Sequence, residues 1–156
     1  MWQSEMEPWV RFHSLPGSKR YATSDAERKS ILSRARILAQ RILGRGPAWV
    51  ADLHLESSEF EWTPYVLRPA MRFVDEDGMA FAIRAGLVEW EGEPFDALVV
   101  AISDDIGPRT LWMSPKDGAV FAPYDGGFDL FPGSEEAAAA LRGEFPQWLS
   151  RHPSGR

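Results

Sequence analysis

The apolar positions of this chain change period along its length. Between Asp25 and Leu43, residues Ile31, Leu32, Ala35, Leu38, Ala39, Ile42 and Leu43 recur at three- and four-residue spacing. That spacing gathers them on one side of a helix. Ser24-Asp25-Ala26-Glu27 precedes the run as a capping box. The Ser24 hydroxyl can accept the Glu27 N–H, and the Glu27 carboxylate can reach back to the Ser24 amide. Gly44 suits the position just past the helix, and Pro47 forbids its continuation.

From Pro47 the period shortens to two. Trp49, Ala51, Leu53 and Leu55 alternate with Val50, Asp52 and His54. The pattern predicts a strand with one wet face, which would carry Asp52 and His54. His54 beside Asp52 could be a base and its orienting carboxylate; an exposed pair on an antiparallel strand is the plainer reading. Tyr65–Val74 is a further strand, weakened by Pro69, and Asp75–Gly78 is a hairpin tip rather than a calcium loop. Met79–Trp90 reads as a long strand. Glu91–Pro94 turns it, and Phe95–Ser103 reads as the returning strand, apolar enough to be central.

Arg109–Met113 and Ala119–Phe121 form a hairpin through Pro115-Lys116-Asp117-Gly118. Val120–Phe131, VFAPYDGGFDLF, then joins two apolar runs by a tight turn. Pro123 cannot donate to a ladder and belongs at an edge or a turn shoulder. Asp125 is expected to hold the turn, and Asp129 to face solvent. Ser134 caps a last helix whose stripe would be Leu141, Phe145, Trp148 and Leu149, kinked or split at Gly143 and Pro146. At the other end, Trp9–Leu15 alternates Val10 and Phe12 with Arg11 and His13 as a first strand, ended by Pro16-Gly17-Ser18. The expectation is one α+β domain over residues 1–156. It would be an antiparallel, mostly meandering sheet of five to seven strands with two main helices packed on it.

Composition narrows the chemistry. The chain has no Cys, seven Trp and nine Phe in 156 residues. Thiolate metal sites, disulfides and a Cys nucleophile are excluded, and large rings must fill much of the core. No apolar run reaches membrane length and no leader pattern opens the chain, so the expected location is cytoplasmic. Net charge is −6 but uneven: nine Lys/Arg against four Asp/Glu through Gly46, then eight against nineteen. The acidic majority disfavours nucleic acid; the basic face of the first helix is the one feature that speaks for it.

Nucleophile-elbow, zincin, Walker and dinucleotide motifs are absent. His13, His54 and His152 are widely separated, so no metal or cofactor is expected. Glu89, Glu91 and Glu93 share strand parity and would project from one side as an acidic rim, joined by Asp96, Asp104 and Asp105.

Three motifs carry a resemblance: WVRFHSLPGSKRY at Trp9–Tyr21, PYDGGxD at Pro123–Asp129, and the closing W-L-S-x-H-P-x-G at Trp148–Gly155. Together they resemble an uncharacterised family of bacterial domains of unknown function. Members often carry a His before the PYD, where this chain has Ala122. The resemblance implies no activity; some such small bacterial proteins act as immunity partners of toxins. The two longer motifs also supply one polar constellation. Arg11, His13, Lys19 and Arg20 could meet Tyr124, Asp125 and Asp129, either as a site or as a salt-bridged seam. The expected function is a non-enzymatic binding protein, an immunity-type inhibitor whose acidic rim meets a basic partner such as a toxin. The alternative is a small enzyme or ligand-binding domain built on the two motifs.

Overall fold

The computed structural model describes residues 8–57 and 62–150. Seven strands form one antiparallel sheet: β1 (Val10–His13), β2 (Pro47–Leu55), β3 (Arg68–Val74), β4 (Ala80–Glu89), β5 (Arg109–Met113), β6 (Val120–Tyr124) and β7 (Gly127–Phe131). Their spatial order is β1-β7-β6-β5-β2-β4-β3. Three α-helices, α1 (Asp25–Leu43), α2 (Glu93–Ser103) and α3 (Glu135–Glu144), accompany them among the described residues. The α+β class and the antiparallel, largely meandering sheet are as the patterns predicted. His152, the end of the closing motif, and the loop residues Glu59 and Glu61 lie outside the described residues.

Helix α1 follows its sequence signals. The Ser24 hydroxyl accepts the Glu27 N–H at 3.2 Å. The Glu27 carboxylate bonds the Thr23 amide at 2.7 Å and Lys19 Nζ at 2.7 Å, one residue short of the Ser24 amide expected. Gly44 closes the helix at φ +71°, a conformation open to glycine.

Three expectations fail, each for a physical reason. Phe95–Ser103 is helix α2, not a strand. Its buried residues, Phe95, Leu98, Val99 and Ile102, fall at helical spacing. Pro94 fits a helix's first turn, where its missing N–H costs nothing. The run is apolar on nearly every position, and such a run fits a buried strand and a buried helix equally well.

The second failure is the facing of β2. Ala48, Val50 and Asp52 are buried while Trp49 is 40% exposed. The covered side is therefore the one that includes Asp52. The third concerns the last helix: α3 breaks off at Glu144 before Pro146, as the proline implies, but Trp148 and Leu149 are not part of its stripe. Leu149 instead bridges Phe12 in antiparallel fashion, and Trp148 O accepts the His13 N–H at 2.7 Å. Residues near 149 thus lie along the outer edge of β1.

All three helices contribute to one core on one side of the sheet, which also takes Val10, Phe12, Val50, Trp112, Phe121, Phe128 and Leu130. Phe95 joins α2 to that side. Its ring centroid lies 5.1 Å from those of Trp90 and Trp112 and 5.9 Å from that of Phe121. Phe121 stacks in turn on Phe128 at 5.6 Å. Among the described residues, the opposite side of the sheet carries no helix.

Two expected outcomes test this packing. Phe95→Ala should lower unfolding free energy by about 3–5 kcal/mol in urea titration. Lys19 and the Thr23 amide hold the Glu27 carboxylate down at about 2, so the Glu27 contribution is present above its ordinary value and fades as pH falls towards 2. The gap in melting temperature between the native chain and Glu27→Gln should therefore be full at neutral pH and close between pH 4.5 and about 2.

Candidate functional site

The β6–β7 hairpin places the second motif against the first. Strand β1 pairs with β7 so that Arg11 lies opposite Asp129 and His13 opposite Gly127. Alternation turns Arg11, Asp129 and Tyr124 to the helix-free side. The Arg11 guanidinium forks onto the Asp129 carboxylate with both bonds at 2.7 Å. The Trp9 indole N–H adds a third bond to that carboxylate at 3.0 Å. The guanidinium lies between two rings, 5.2 Å from Trp9 and 4.4 Å from Tyr124. Asp129 is thus a half-buried, fully engaged carboxylate rather than a solvent-facing one.

The turn is held from outside as well. Arg20 Nε donates to the Asp125 carboxylate at 2.9 Å and to its backbone carbonyl at 3.0 Å. The Tyr21 hydroxyl donates to the same carboxylate oxygen at 2.7 Å. Burial raises the Asp125 carboxyl, but Tyr21 and Arg20 outweigh it and leave it below the ordinary carboxylate range. Burial, against the pull of Arg11, pushes the Tyr124 phenol up to about 12. The phenol is a neutral hydroxyl at any physiological pH.

Gly127 explains how the Tyr124 ring lies so close. A Cβ there would sit 2.1 Å from the Phe12 carbonyl oxygen and 2.6 Å from the Tyr124 hydroxyl. Both separations are impossible, so the motif's second glycine is required by close approach rather than by backbone conformation.

Five of the seven predicted residues therefore come together: Arg11, Arg20, Tyr124, Asp125 and Asp129. Lys19 does not join them; it bonds Glu27 instead. His13 shares the face of Arg11, but burial, Arg34 and Arg11 all push its imidazole below its ordinary value. Trp9 and Tyr21 belong to the cluster and were missed, although both sit within the motif that bounds it.

The acidic rim divides. Glu89 ends β4, Glu91 lies in the bend and Glu93 opens α2, so strand parity does not relate them. All three are exposed and make no ion pair among the described residues. Asp96 is forked by Arg36, and Asp104 lies 3.8 Å from Arg28. Arg41 reaches Glu144 at 2.7 Å. Much of the basic face of α1 is thus matched by acids of the later elements. Asp105 is exposed, at φ +59°.

Asp52 lies on the helix side, where Arg84 of β4 forks its carboxylate at 3.0 and 2.6 Å. His54 Nδ1 is 3.9 Å from Asp52, too far for a hydrogen bond, and the carboxylate serves Arg84. The base-and-orienter pair is not formed. His13 and His54 lie on strands four positions apart in the sheet, so they do not converge.

A break in the strand ladder opens the sheet beside the motif cluster. Ladder pairing of β5 with β6 runs only through Met113↔Val120 and Trp112↔Phe121. Ser114 N–H bonds Ala119 O at 2.8 Å. Strand alternation then makes Thr110 and Pro123 the next pair that should exchange bonds. Pro123 has no N–H, so the ladder stops there. A cavity of about 540 Å³ opens at this point, lined by Ala51, Leu53, Leu111 and Ala122 from the helix-free side, and by Tyr124, Asp125 and Asp129 of the motif.

Asp129→Asn should lower unfolding free energy by about 1–3 kcal/mol, because it unbalances a half-buried fork. The double change Asp125→Asn with Arg11→Ala separates seam from site. A fall in melting temperature with ligand or partner binding intact makes the cluster a seam; loss of binding at unchanged melting temperature makes it a site.

No helix among the described residues is long and apolar enough to cross a membrane. No curated protein and no solved structure matches the chain. A family model described as a domain of unknown function, DUF3885, matches residues 2–153, nearly the whole length, with the first two motifs whole and the third but for its last two residues. The protein belongs to that DUF3885 family.

Proposed function

We propose that this chain is a non-enzymatic protein-binding module, most concretely an immunity-type inhibitor that neutralises a bacterial toxin. The observation that carries the reading is the helix-free face of the sheet. Trp49 and Leu87 lie opposite each other there, 40% and 52% exposed. Met71 and Phe73 extend the apolar surface onto β3, at 60% and 39% exposure. Exposed apolar side chains gathered on one face mark association surfaces on soluble domains. Glu89 follows Leu87 at the end of β4, and Glu91 and Glu93 continue into the bend, all without ion pairs among the described residues. An apolar centre with free carboxylates at its margin fits a partner that presents basic residues around an apolar contact. Asp96 and Asp104 are engaged by α1 and Asp105 lies past the far end of α2, so the acidic margin rests on Glu89, Glu91 and Glu93.

Asp125, Asp129 and Tyr124 also border the cavity beside β5, which supports a second reading: a ligand-binding domain built on the two family motifs.

Co-expression with the product of the adjacent gene tests the docking reading. A stable complex should form, and Trp49→Ala should weaken it by roughly tenfold or more, as central aromatic anchors do, with melting temperature unchanged. Glu91→Lys should slow association and reduce its salt dependence. A complex indifferent to both substitutions, or no complex at all, overturns the docking reading.

A further inference from the structure

The cavity beside β5 has a distribution of unused polar groups that selects a ligand class. Its volume, about 540 Å³, falls within the range of small-molecule pockets. Four carboxylates and one guanidinium border it: Asp52, Asp105, Asp125, Asp129 and Arg109. Three of the carboxylates already have guanidinium partners, Arg84, Arg20 and Arg11 in turn. The two charges left over are of opposite sign. Asp105 and Arg109 both border the cavity, and neither makes an ion pair among the described residues.

The neutral groups sort with them. Continuing the β5–β6 register past Trp112↔Phe121 sets Arg109 across from Tyr124. Both then belong to the helix-free side, since Arg109 pairs with Leu53 of β2. The Tyr124 ring leans over Gly127 towards Arg11, so the Arg109 guanidinium is the donor this opening offers an anion. The Thr110 carbonyl gets no ladder donor from Pro123, so it is an acceptor at the same opening. Asp105 and Asp125 add carboxylate acceptors. Ala51, Leu53, Ile83 and Leu111 supply an apolar wall.

We propose that this cleft binds a small zwitterion with an apolar arm, an α-amino acid of the leucine type. Arg109 holds its carboxylate; Asp105, with the Thr110 carbonyl, holds its ammonium group. The aliphatic side chain lies on the wall of β2, β4 and β5. This rests on the ligand-binding reading; the cavity opens on the same helix-free face as the docking surface and shares Phe73 with it. Surface residues in the left-handed region tolerate asparagine, so Asp105→Asn leaves the fold intact, as does the exposed change Arg109→Gln.

The test is calorimetric titration of the purified chain with L-leucine. Saturable binding should appear, and each substitution should weaken it by about tenfold, the loss of one charge-assisted contact. N-acetyl-leucine lacks the cation and leucinamide lacks the anion; each should bind about tenfold more weakly than leucine. Equal affinity of the native chain and both variants, or of all three compounds, overturns the proposal. So does the absence of saturation up to about 50 mM, a limit weaker than any useful site. Tighter binding of leucyl-glycine overturns the choice of a free amino acid in favour of a chain terminus. A thermal-shift screen of nucleotides and metabolites separates two failures. If another compound stabilises the chain, ligand binding stands and the zwitterion falls; if none does, both fall.

Discussion

The arrangement of the molecule depends on the contact of Phe95 with Trp90, Trp112 and Phe121. The ring is 1% exposed and meets three other rings at 5.1–5.9 Å. It fixes α2 over the centre of the sheet, and α1 packs beside α2 through Arg36–Asp96 and Arg28–Asp104. With the helices held to one side, the other side of seven strands is left uncovered. Everything inferred about binding follows from that one-sidedness. The uncovered face keeps Trp49 and Leu87 at the surface, and the β5–β6 opening gives access from that face to the motif cluster.

The second constraint is the missing amide of Pro123. A residue with an N–H there would let β5 and β6 stay paired to the turn. Proline ends the exchange of bonds at Trp112↔Phe121, two positions short of it. The same residue heads the PYDGGxD motif. Gly127 within the motif is held to zero side chain by the Phe12 carbonyl and the Tyr124 hydroxyl. Pro123, Tyr124, Asp125, Gly127 and Asp129 therefore each have a distinct physical task, and Arg11, Trp9, Arg20 and Tyr21 of the first motif complete it. The polar cluster has the features of a seam, since its charges are matched; the cavity beside it has the features of a site, since two charges at its border are not.

Much of the fold was legible because local signals agreed with one another. Ser24, the helical spacing from Ile31 to Leu43 and Gly44 all specify the same helix, and Val120–Phe131 carries both its strands and its turn. Phe95–Ser103 was illegible because a short run that is apolar at nearly every position has no clear period to read. The facing of β2 misled for a related reason: both parities of Trp49–Leu55 carry apolar residues, since the bare side of the sheet is itself apolar. Hydrophobic pattern then no longer tells inside from outside, and Asp52 was placed in water when Arg84 in fact accompanies it in the interior. The meeting of Arg11 with Asp129 was within reach of sequence reasoning, because the two motifs were recognised together. The unmatched pair Asp105 and Arg109 was not, because it depends on which other charges find partners in three dimensions.

The strip near Leu149 that runs along β1 has a bearing on self-association. An unpaired outer strand invites another chain to extend the sheet, and proteins suppress such growth by occupying or disfiguring the margin. Here the Ser150 amide bonds the Arg11 carbonyl and the His13 amide bonds Trp148, which occupies the β1 margin. At the far margin β3 has Pro69 and a register shift after it. Both margins therefore disfavour growth by strand addition, which leaves the flat apolar side as the place where another molecule would meet the sheet.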